Sequence, residues 1–163
     1  MNKNMILGLA VVLIAIGLLK PDLSSVGFPS RPVAVDVLEL KEPTDAAVKA
    51  KADVVVDILK GVSDHKADAK RLRDLYLDLA KLIELDGDDE VVKTTEEIRQ
   101  ANSLSGLMLR LDIKGKYKDL AKANEDVIIE SIGKDNIPLD KELRTKAVSG
   151  FNALAWACNL GSK

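Results

Sequence analysis

Residues 63–85 read SDHKADAKRLRDLYLDLAKLIEL. Leu72, Leu75, Tyr76, Leu79, Leu82 and Ile83 recur in it at steps of three and four, the spacing that stacks side chains on one face of an α-helix. Arg71, Arg73, Asp74, Asp78, Lys81 and Glu84 take most of the other positions, which makes that face apolar and the opposite one charged. Ser63 or Asp64 can cap the start, and Asp86-Gly87-Asp88-Asp89 breaks the pattern at the end. A helix with one apolar face must bury it against something, so the fold turns on whether the flanking segments share the pattern.

They do. Thr44 can cap a segment over 45–60 that is rich in Ala and Val and stops at Gly61. Asp88 or Asp89 can cap a third segment with Val91, Val92, Thr95, Ile98, Ala101, Leu104, Leu107, Met108 and Leu111 facing inward, and its early acidic residues suit a helix N-terminus. After Gly115 a fourth segment places Tyr117, Leu120, Ala121, Asn124, Val127 and Ile128 together, with Gly133 as its stop. The loop 134–139 contains Pro138. Asp140 can then cap a last helix striped by Leu143, Ala147, Phe151, Leu154, Ala155 and Cys158. The expectation for residues 44–163 is an all-α domain, an antiparallel bundle of four to five helices joined by short loops. The apolar faces are too wide for a coiled-coil seam, and the absence of an internal repeat argues against a solenoid.

Ahead of this body stand two segments of different character. Residues 5–19, MILGLAVVLIAIGLL, carry no charge, with Lys3 before them and Lys20-Pro21 after. As a helix the run is roughly 22 Å long, short of the ~20 residues usual for a span, a gap that snorkelling lysines can cover. A small-x-small cleavage site is missing after it, since Ala15-Ile16-Gly17 lies inside the run, so residues 1–20 are expected to form an uncleaved signal-anchor. A cleaved signal peptide and a hydrophobic arm buried in an assembly are the competing readings. Met5, Ile6, Leu7, Leu9, Val11, Val12, Leu13, Ile14, Ile16, Leu18 and Leu19 would meet lipid. Lys3 and the terminal amine favour an inside N-terminus, which places the helical body in the periplasm or outside the cell. No small-xxx-small pair occurs in the run, so a close-packed anchor dimer is not indicated.

Residues 21–43 hold four of the five prolines, Pro21, Pro29, Pro32 and Pro43, and read as an extended linker. A short strand over 33–37 is the alternative there.

The residues that carry chemistry are sparse. One cysteine excludes an internal disulfide, and 26 acidic against 24 basic residues leave no excess positive charge to hold nucleic acid. The acidic run 86–97 offers Asp86, Asp88, Glu90 and Glu97 at calcium-loop positions. Yet Val91 stands where the sharp turn needs Gly, and Lys93 stands where an apolar residue belongs. His65 has no second ligand close by, so it reads as a surface histidine. Cys158, on the apolar stripe beside Trp156, reads as a small buried hydrophobe. Lys114, Lys116 and Lys118 make a basic cluster, offset by Asp112 and Asp119. Phosphate-binding and hydrolase motifs are missing, and no cofactor or metal is expected. Ser103, Gly106 and Gly150 are explained by close helix packing.

A signal-anchor ahead of an all-α domain resembles the layout of membrane-tethered phage muramidases. That family needs a catalytic Glu just after the anchor, with an Asp or Thr at fixed spacing. Here Glu39 and Glu42 come first, with Val48 and Lys51 nine residues beyond them, and the family's signature surrounds neither. The expected function is therefore a non-enzymatic, membrane-anchored helical module that binds a protein partner or its own copies, as in a viral or cell-envelope assembly. A signal-anchored cell-wall lysis enzyme or factor and a small-ligand carrier are the alternatives.

Overall fold

The computed structural model describes residues 40–62, 66–84, 92–108 and 117–163. The anchor and nearly all of the linker, including Glu39 and the 33–37 segment, lie outside them. So do Ser63, Asp64, His65, the acidic stretch 85–91 and Gly115. Residues 41–163 form one compact unit. Among the described residues it is all-helical: α1 (Ala46–Lys60), α2 (Lys66–Glu84), α3 (Thr95–Met108), α4 (Tyr117–Ile132) and α5 (Lys141–Gly161).

Local chemistry sets most boundaries. Asp45, not Thr44, caps α1: its extended backbone lets one carboxylate oxygen accept from the Ala47 and Val48 N–H groups at 2.8 and 3.2 Å. Gly61 closes the helix by donating to Asp57 and Ile58 carbonyls. Asp140 caps α5 through Leu143 N–H at 2.8 Å. Gly133 ends α4 with φ +85°, a conformation open to glycine and costly for a side chain.

The third helix starts later than its apolar pattern suggests. Thr94 and Glu97 form a capping box: Glu97 accepts from Lys93 and Thr94 N–H, while Thr94 Oγ1 accepts from Glu97 N–H at 3.4 Å. Residues 93 and 94 stay outside the helix, and the backbone at its start is tied to the segment after α4. Leu139 N–H donates to the Lys93 carbonyl at 2.7 Å, and Thr95 N–H donates to Ile137 at 3.0 Å. A single bridge, Thr94 with Pro138, results.

The most extensive packing joins α2 to α5. Lys66 Nζ donates to the Lys163 carbonyl at 2.8 Å, Arg73 lies near Cys158, and Tyr76 stacks on Phe151 at 5.9 Å and 30°. Numbers rise along one helix as they fall along the other, so this pair is antiparallel. Helix α5 also packs on α1 and α4, and α4 packs on α1 and α3, whereas the consecutive α1 and α2 share little.

Two apolar faces differ from the periodic reading. In α2 the inward line is Ala69, Leu72, Tyr76, Leu79, Ala80 and Ile83; Leu75 is half-buried and Leu82 exposed at the edge. In α4 Ala123 rather than Ala121 is buried. The last helix departs most. Ala153, Leu154, Ala155, Trp156, Ala157 and Cys158 are buried in succession, so this stretch of the helix has no outer face, while Leu143 is only half-buried. Three packed helices surround it, and small residues permit their approach. A Cβ on Gly150 would meet Ser131 Oγ at 2.7 Å, and one on Gly161 would meet Leu59 Cβ at 2.7 Å.

Candidate functional site

Among the described residues the reactive side chains are not brought together. Cys158 is fully buried on α5, and burial pushes its thiol well above the ordinary value of 9.0 despite the opposing charge of Arg73. A neutral, enclosed thiol is a packing group rather than a nucleophile. Of the calcium-loop candidates, Glu97 has its carboxylate on the backbone of Lys93 and Thr94, and the others lie outside the described residues. Among the described residues no group of three or more His, Cys, Asp or Glu could hold a metal. Glu42 is exposed and pairs with Lys49 at 3.2 Å. Lys118 is exposed on α4; Lys114 and Lys116 lie outside the described residues.

The better defined feature is a surface. Helix α1 turns Val48, Ala52, Val55, Val56 and Leu59 inward and packs on α4 and α5. One flank is held by Lys49, whose Nζ lies 2.8 Å from Asp53, 3.2 Å from Glu42 and 5.8 Å from the Trp156 ring centre. Hydrogen bonds to Asp53 and then Glu42 raise the Lys49 pKa, so the ammonium is fixed in its charged form. The outer face consists of Ala47, Ala50, Val54 and Gly61, all exposed, with half-buried Ile58. Val54 keeps 48% of its surface in solvent, against 40% for Ile137 and 38% for Leu82, which lie on other elements. Lys51 and Asp57 flank this strip, and neither makes an ion pair or side-chain hydrogen bond with the described residues.

Two polar features carried no clear sequence signal. A clasp ties the start of α3 to the segment after α4: Thr95 Oγ1 donates to the Asp135 carbonyl and accepts from Ile137 N–H, and Arg99 reaches both the Lys134 carbonyl and Glu96. Only the Thr94-x-x-Glu97 spacing announces it. The other feature is Asn124 of α4, fully buried with neither amide atom partnered. An amide placed so costs stability.

Among the described residues no helix is long and apolar enough to cross a membrane. No protein-family model, curated protein or solved structure matches the chain.

Proposed function

We propose that this chain is a helical protein-interaction module, held at a membrane by residues 5–19 and extended from it by the proline-containing linker. The observation that carries the reading is the outer face of α1. It is a helix fixed by packing on two others, and it presents Val54 and Ile58 between two charged residues that have no partner within the described body. An apolar strip rimmed by polar groups is the form of a protein-binding patch. A rigid helix also loses little entropy when it docks. Such a module suits a structural component of a cell envelope or viral particle.

The test is site-specific photo-crosslinking in the native source, with the probe at position 54 of the full chain and a control at exposed Lys70 on α2. Adducts to protein from position 54 alone support the reading; equal yields from both positions, or none from 54, contradict it. The anchor is tested apart. Leu13→Asp should release the protein from membranes, because a charge at mid-span costs on the order of 2.5–3.5 kcal/mol. Retention of that variant in the membrane fraction would remove the anchor from the proposal.

A further inference from the structure

We propose that α3 is a flap, which swings off the body as one piece while α1, α2, α4 and α5 stay packed. Helix α5 is enclosed by α1, α2 and α4, and α1 also packs on α4. Helix α3 packs on α4 and lightly on α2, and among the described residues it has no substantial packing on α5. Each of the other outer helices rests on α5 directly. The third helix is therefore the one that can leave without opening the centre of the core.

What holds α3 differs as well. Helix α1 buries Val48, Ala52, Val55, Val56 and Leu59, all apolar. The buried side chains described on α3 are Thr95, Ile98 and Asn102, two of them polar. Polar side chains gain less from leaving water than apolar ones do, so such a contact opens more readily. The start of α3 is fastened instead by hydrogen bonds to the loop 134–139, whose residues up to Pro138 are exposed. Thr95 Oγ1 donates to the Asp135 carbonyl and accepts from Ile137 N–H at 3.0 Å. Thr95 N–H donates to the Ile137 carbonyl at 3.0 Å, and Leu139 N–H donates to the Lys93 carbonyl at 2.7 Å. Three of these four bonds use Thr95. In an exposed loop water replaces them on opening, so the net hold of each is small and the set acts as a latch. Units at this low end of local stability are the ones that move in binding and regulation. The flap gives the body a closed form and an open form, the second baring the side of α4 beneath α3.

This inference does not depend on the outer face of α1, and the two fail separately. Its test is native-state hydrogen exchange of the full chain in detergent solution, read by mass spectrometry at rising urea below the unfolding transition. After correction for intrinsic rates, residues 98–103 are expected to exchange at least about tenfold faster than residues 153–158. They should share one opening whose urea slope is shallow but not zero, because a flap exposes less surface than the whole body does. Thr95→Val keeps the side chain's shape and removes the hydroxyl with its two hydrogen bonds. It should speed exchange about tenfold in residues 98–103 and 136–139 together, and leave residues 153–158 unchanged. The urea series on the unaltered protein decides the matter even where the variant folds poorly. Equal protection and equal slopes in α3 and α5 would mean that α3 leaves only when everything unfolds. A zero slope in α3 would mean fraying, residue by residue. An effect of Thr95→Val spread equally over α5 would mean that the latch holds the core. Each of these three results overturns the flap.

Discussion

The alanines of the first and last helices meet different fates. In α1, Ala52 is buried while Ala46, Ala47 and Ala50 face solvent; in α5, Ala147, Ala153, Ala155 and Ala157 are all buried. Alanine favours helix in both and says nothing about which side faces in. The surroundings decide. Three helices pack around α5, and small side chains there let them come close, whereas α1 is covered on one side by α4 and α5 and keeps a free strip. The same residue type serves enclosure in one helix and approachability in the other. The last helix is the centre of the core, and the first is its outward face.

The contrast can be broken by substitution, beginning where the effect should be greatest. Leu154→Ala, at a fully buried position of α5, is expected to cost about 2–5 kcal/mol in denaturant unfolding. A loss below 1 kcal/mol would mean that the surrounding helices collapse onto the gap and that α5 is no rigid centre. Gly150→Ala should cost about 1–3 kcal/mol, because the added methyl meets the Ser131 side chain and the tip of Ile128. Unchanged stability there would show that the α4–α5 crossing has room to give.

Asn124→Leu keeps the branching of the side chain and removes two unpartnered polar atoms from the core. It should therefore stabilise the protein by about 1–2 kcal/mol, and a destabilised variant would show that the amide has a partner that matters. The pH dependence should follow Cys158. Its raised folded pKa keeps the proton on the folded chain, while the unfolded thiol loses it above about 9.0. Stability contributed by this group is therefore complete below that pH and falls above it, by up to about 1.4 kcal/mol per pH unit. Cys158→Ala should flatten the difference between pH 8 and pH 10. Smallest of all is Val54→Asp on the outer face of α1, expected to shift stability by no more than about 0.5 kcal/mol. A loss comparable to Leu154→Ala would place α1 in the core on both sides and end the comparison.

Much of the fold was legible because amphipathic periodicity and end signals agreed. Gly133 sits where a positive φ favours glycine, Asp140 where a free N–H needs an acceptor, and Gly61 where α1 stops in ordinary helical backbone. Val91 and Val92 extend the apolar spacing upstream and so point to an earlier start for α3 than Thr95. The Thr94-Glu97 box and the bonds from Ile137 and Leu139 override it, and the latter lie some forty residues away in sequence. The run Ala153–Cys158, apolar throughout, announces all-round burial. A stripe reading picks out only the residues at helical spacing and passes over that signal. The outer face of α1 was hidden for a simpler reason. Val54, Val55 and Val56 are identical in type, and only the positions of Val48, Ala52 and Leu59 on the inner face show that Val54 is the one turned outward. Packing partners were not legible at all, since the most extensive helix pair, α2 with α5, joins segments far apart in the chain.

The central claim is that α1 carries a face made for another protein surface while α5 carries none. Lysine acetylation footprinting tests it most directly, comparing Lys51 on α1 with Lys70 on α2 in the native source and in dilute purified protein. The account predicts that Lys51 is protected in the source and labelled when dilute, with Lys70 labelled alike in both. Equal labelling of Lys51 in the two states would contradict it.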